Sequence, residues 1–130
     1  DASAVESLTH LSERFYSRAA GWHHYHSMAK GNFRGYLRGE RVRTKKYLYV
    51  IRPVLACRWI EVNQAPPPMA FEVMLDCLLP HGPVRNAIDA LLVVKRASKE
   101  VDDGPRIPVI SDYLEAELER MQASPAAARA

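Results

Sequence analysis

A chain of 130 residues, 48% hydrophobic and 25% charged with a formal net charge of +3, has the make-up of one globular domain with a core of its own. That make-up excludes disordered, collagenous and disulfide-scaffold proteins. No apolar run approaches the roughly 20 residues that cross a bilayer, so no membrane partner is expected.

The apolar spacing is helical almost throughout. A first helix is predicted over about Ala4 to Tyr16, with Val5, Leu8, Leu11 and Phe15 on one stripe. Ser17 reads as the N-cap of a second, running to Arg38 and stopped by Gly39. It should bury Trp22, Tyr25, Ala29, Phe33 and Tyr36 or Leu37. Gly31 and Gly35 lie inside it and read as points of close approach for a neighbouring helix or a ligand. A third helix, Thr44 to Asn63, sets Leu48, Ile51, Leu55 and Val62 on one buried face and Lys45, Tyr49, Arg52, Ala56 and Trp59 on a second. Pro53 should bend it by removing the hydrogen bond to the Tyr49 carbonyl. Pro66, Pro67 and Pro68 form a stiff connector. Short helices follow over Ala70 to Leu79 and, opened by Pro83, over residues 83 to 98. Asp102 to Pro108 reads as a loop. The last helix, Val109 to Ala123, should bury Ile110, Tyr113, Leu114, Leu118 and Met121. The fold class is therefore all-α, a bundle of five to six helices without a convincing strand. Residues 1–123 read as a single helical domain and residues 124–130 as a flexible tail.

Charge is unevenly spread. Residues 30 to 58 hold nine of the eighteen bases (Lys30, Arg34, Arg38, Arg41, Arg43, Lys45, Lys46, Arg52 and Arg58) against one acid, Glu40. From Val101 onward six acids face three bases. A one-signed stretch points to an anionic partner, a nucleotide or a nucleic-acid backbone; the alternative is that it pairs with the acidic last helix on folding. His23, His24 and His26 share a helix without a third ligand at a suitable offset, and His10 and His81 are remote, so no metal site is expected. Glu115, Glu117 and Glu119 are two apart on a helix and diverge, and Asp102 and Asp103 form a loop pair. There is no phosphate-cradling Gly-rich loop. Cys57 and Cys77 lack close partners and read as small buried thiols in a reducing cytoplasm.

What carries chemistry is the basic and aromatic run from Arg41 to Pro53. Lys45 and Arg52 are two turns apart on one helix face, about 10 Å at 1.5 Å per residue, and can straddle a polyphosphate. Tyr49 between them can stack on a base or bond a phosphate, and Lys30 and Arg34 are candidates for the opposite wall.

Two segments carry a family resemblance. His24-Tyr25-His26-Ser27-Met28-Ala29-Lys30 with Phe33-Arg34-Gly35-Tyr36-Leu37 is the first. Lys45-Lys46-Tyr47-Leu48-Tyr49 with Arg52-Pro53-Val54-Leu55-Ala56 and Arg58-Trp59 is the second. Together with Pro66 to Pro68 and Gly104-Pro105-Arg106-Ile107-Pro108, they resemble the RNA-ligase-associated nucleotidyltransferases of the DNA polymerase β superfamily. The resemblance covers about residues 8 to 120.

It implies a two-part enzyme. An N-terminal α/β domain with a Gly-Ser turn and an Asp-x-Asp pair holds two Mg²⁺ ions, and a nucleotide monophosphate moves from a nucleoside triphosphate to an acceptor hydroxyl. This sequence has neither motif. It resembles the helical C-terminal half, inert without its catalytic domain, with the Mg²⁺ held by that missing partner. The resemblance gives Lys45, Lys46 and Arg52 phosphate-facing roles and Tyr49 a base or sugar contact, with RNA as a candidate acceptor. A stand-alone helical RNA-binding or protein-interaction module is the alternative.

Overall fold

The computed structural model of the chain describes residues 2–97 and 103–128, with side chains from 18 to 96 and from 103 to 127. Its elements in order are α1 (Ala2–Tyr36), β1 (Arg41–Arg43), α2 (Lys46–Asn63), α3 (Phe71–Leu78), α4 (Pro83–Ala97), β2 (Asp103–Pro105), α5 (Pro108–Gln122) and α6 (Pro125–Ala128). The all-α expectation holds: six helices carry the described residues, and a two-stranded ribbon is the one exception. The stripe expected on Val5, Leu8, Leu11 and Phe15 falls on side chains outside the described residues, as do His10, Ser98 and Asp102.

The first two predicted helices are one. α1 runs for 35 residues straight through Ser17. A capping box needs Glu or Gln three residues after its Ser, and Ala20 stands there, so nothing rewards a break. The helix closes at Tyr36, and the turn after it favours Gly39, where a Cβ would press to 3.2 Å from the Arg41 carbonyl oxygen. Gly31 and Gly35 differ from expectation, since a Cβ at either would meet nothing within 4 Å.

α2 is the axis of the molecule. It buries Tyr47, Leu48, Val50, Ile51, Pro53, Val54, Leu55, Ala56, Cys57 and Ile60, and it packs on α1, α3 and α5. A helix that is apolar nearly all round belongs inside a fold. Two neat faces therefore do not survive: Ala56 is buried, while Val62, expected inside, is 62% exposed. Tyr47 is fully buried, and its hydroxyl accepts from the Ile107 backbone N–H at 2.8 Å and shares a 2.9 Å hydrogen bond with Ser111. That contact locks the start of α5 onto the start of α2.

The segment expected to be a loop holds a strand over Asp103–Pro105. Val42 opposes Gly104 in an antiparallel ribbon, flanked by Arg41 with Pro105 and Arg43 with Asp103. Three residues with one buried position, Val42, carry too little alternation to be read as a strand from sequence. The ribbon places Arg106, whose N–H donates to the Glu40 carbonyl, against α5. Beyond α5, residues 125–128 form a short helix, with Ala126 and Ala127 against Trp22, Cys57, Ile60 and Met121. Cys57 is buried but Cys77 is exposed, against the expectation of two buried thiols.

Candidate functional site

α1 and α2 meet at a cation held between two aromatic rings. The Lys46 ammonium lies 4.2 Å from the Tyr36 ring centroid and 4.5 Å from that of Tyr49. Both rings are nearly half exposed, at 45% and 43%. Pro53 adds a polar link between the helices there. It has no N–H to give the Tyr49 carbonyl, and the Asn32 side-chain amide of α1 donates to that carbonyl instead, at 3.2 Å. One turn beyond Tyr49, the Arg52 guanidinium sits 4.7 Å from the Phe71 ring centroid. Arg52 also lines an open cavity of about 390 Å³ with Phe71, Glu72, Leu92, Lys95 and Arg96. Tyr36, Lys46, Tyr49, Arg52 and Phe71 thus make a stripe of alternating cations and rings. Contacts of this kind are worth on the order of 0.5–2 kcal/mol and hold the long side chains in place. Lys45, expected to share this face, stands half-buried in the turn before α2.

Lys30 and Arg34 are not the opposite wall of that stripe. They line a second cavity of about 390 Å³ between α1 and α5, with Arg38, Arg106, Glu115 and Glu119 at its rim and Phe33, Leu37 and Leu118 beneath. Helical phase separates the two sets: at about 100° per residue, Asn32 and Tyr36 face well away from Lys30 and Arg34. Sequence reasoning missed Asn32, Tyr36 and Phe71 at the stripe, and Arg106 and Glu119 at the cleft. Asn32 had one signal, the proline that orphans a carbonyl, but the sequence does not say which donor fills the gap.

The acidic last helix does meet one base of the 30–58 stretch, as the alternative expected. Glu117, buried on α5, pairs with Arg58 at 3.4 Å and with Arg120. Arg120 also bonds Glu61 at 2.7 Å, and Glu61 accepts from the Trp22 indole N–H at 3.0 Å. Burial alone would raise the Glu61 carboxyl, but hydrogen bonds from Arg120 and Trp22 hold it below the usual carboxylate range. The same surroundings push Cys57 and the Tyr113 hydroxyl upward, chiefly by burial. His26, stacked 4.7 Å from Trp22, is pushed down by burial and then by nearby Lys30. Its Nε2 and the Trp59 indole N–H have no hydrogen-bond partner among the described residues.

Magnesium chemistry requires converging acids. Among the described residues no three His, Cys, Asp or Glu side chains gather as a metal site. Glu117 is taken by two arginines, and Asp103 lies 3.9 Å from Arg43. This donor set does not fit a pair of Mg²⁺ ions.

The sequence profile of the RNA repair pathway DNA polymerase beta family matches residues 1–129, nearly the whole chain. The chain belongs to that family. A curated relative, the uncharacterized protein YcgL of Bacillus subtilis (strain 168), is 39% identical over 119 residues, covering 92% of this chain and 46% of that protein. The chain thus spans about half the length of this relative. No solved structure matches it. No described helix is long and apolar enough to cross a membrane.

Proposed function

We propose that this chain is the helical nucleotide- and acceptor-binding part of a nucleotidyltransferase that moves a nucleotide monophosphate from a nucleoside triphosphate to an acceptor. The observation that carries the reading is the Tyr36–Lys46–Tyr49 stack with Arg52 one turn on, in a member of the RNA repair pathway DNA polymerase beta family. A half-exposed tyrosine ring offers a stacking surface to a base. Lys46 and Arg52, with Lys45 at the helix start, offer charge to the phosphates. The residues of this chain would bind and orient the triphosphate, which is most of what a protein contributes to such a transfer. The acids for Mg²⁺, and with them the transfer step, belong in this reading to a separate N-terminal catalytic domain.

Calorimetric titration of nucleoside triphosphates tests it. Lys46→Ala and Arg52→Ala should each weaken binding about tenfold, near 1.4 kcal/mol, and Tyr49→Ala should weaken it while leaving the helical circular dichroism unchanged. Unaltered affinity with Lys45, Lys46 and Arg52 all replaced by alanine would sink the reading. The chain alone, given α-labelled triphosphates, Mg²⁺ and a short RNA, should yield no labelled product. Product would return the chemistry to Asp103 or to the acids of α5.

A further inference from the structure

We propose that the cleft between α1 and α5 binds an RNA strand, with Lys30, Arg34 and Arg38 on three successive backbone phosphates. The proposal rests on the nucleotidyl-transfer reading only in making that strand the acceptor. Lys30 and Arg34 are one helical turn apart on α1, Arg38 follows four residues later, and all three line the same cavity. The step from Lys30 to Arg34 is about 6 Å of axial rise, the scale of the interval between phosphates on an extended polynucleotide, and Arg38 continues the row just past the end of α1 at Tyr36. Successive phosphates of a triphosphate share a bridging oxygen and lie closer together than this step, so the row matches a polynucleotide backbone better than a free nucleotide.

None of the three forms an ion pair among the described residues. Arg106, on the far rim, is already engaged at 3.8 and 3.9 Å by Asp112 and Glu115. The last helix brings two carboxylates to this cavity, Glu115 and Glu119, but Glu115 is engaged by Arg106 and neither pairs with Lys30, Arg34 or Arg38. Glu119 stands at the same rim. A carboxylate there repels phosphate but accepts a hydrogen bond from a ribose 2′-hydroxyl, the group that distinguishes RNA from DNA. Phosphates along α1 and sugars toward α5 satisfy both sides of the cleft.

The test is fluorescence anisotropy of a short labelled single-stranded RNA, titrated across chloride concentrations from about 50 to about 200 mM. Replacing Lys30, Arg34 and Arg38 with alanine should weaken RNA binding at least about tenfold. It should also reduce the slope of log affinity against log salt by about 2, at about 0.7 per phosphate contact on a single strand. Nucleoside triphosphate affinity should not change. Lys46→Ala with Arg52→Ala should do the reverse, so loss of this proposal and loss of the nucleotide site show up in different variants. Glu119→Ala should raise affinity for DNA of the same sequence more than for RNA. An unchanged salt slope in the triple variant would overturn the proposal, and so would a parallel loss of triphosphate binding. Equal competition by polyglutamate would also overturn it, in favour of an acidic protein partner.

Discussion

Tyr47 does at the scale of one residue what a longer interface does elsewhere. Its ring fills the core while its hydroxyl serves two polar groups, the Ile107 N–H and the Ser111 hydroxyl, that α5 would otherwise bury unpaired. Tyr47→Phe preserves the volume and removes both partners. Urea unfolding should show a loss of about 1–3 kcal/mol, the cost of stranding buried polar groups, and an unchanged midpoint would mean that water reaches them. His26 is the converse case, a buried imidazole whose Nε2 has no partner. Its folded-state proton affinity lies below the ordinary value of 6.5, from burial first and Lys30 second. Between 6.5 and that lower folded value the unfolded chain takes up a proton that the native one refuses, so stability falls as pH falls through this window. His26→Leu should remove that part of the pH dependence. Thermal melts that decline as steeply below pH 6.5 in the variant as in the parent protein would contradict this.

The pairing of α1 with α2 depends on an exchange of hydrogen bonds at the scale of elements. Pro53 denies the Tyr49 carbonyl its helical partner, and Asn32 supplies one from the neighbouring helix. The two substitutions should therefore be coupled. Asn32→Ala should cost about 1 kcal/mol in the parent protein and close to nothing with Pro53→Ala, where the helix satisfies its own carbonyl. A double-mutant cycle with no coupling energy would show that the contact does not position the helices. The continuous α1 belongs to the same scale. A serine at position 17 is compatible with a helix start, but without Glu or Gln at position 20 to complete a capping box the break gains less, and the helix runs on.

For the whole molecule, the arrangement of charge matters more than its total. A net charge of +3 on 130 residues is unremarkable, yet folding sorts six of the nine bases in residues 30–58 into three groups. Arg58 joins the Glu61–Arg120–Glu117 network that ties α1, α2 and α5. Because Glu61 holds its charge below the ordinary value of 4.5, the network stabilises the fold above that pH and fails as pH falls through the lower folded value. Lys46 and Arg52 are held against rings on one side of α1, and Lys30, Arg34 and Arg38 open onto the cleft on the other.

The sequence by itself determined the helical class, most helix ends and the basic–aromatic segment, because 3.6-residue periodicity, prolines and charge runs are local signals. It placed Tyr49 and Arg52 one turn apart on α2 without any knowledge of the fold. Only the tertiary structure decided which side chains share a surface. Asn32, Tyr36 and Phe71 lie far in sequence from the bases they accompany, and nothing local says that Tyr36 faces Lys46 while Leu37, the next residue, goes into the core. Lys30 and Arg34 parted from Lys46 and Tyr49 for the same reason. A run of like charges records what is nearby along the chain, whereas the phase of a helix and the position of its neighbour fix the direction in which each charge points.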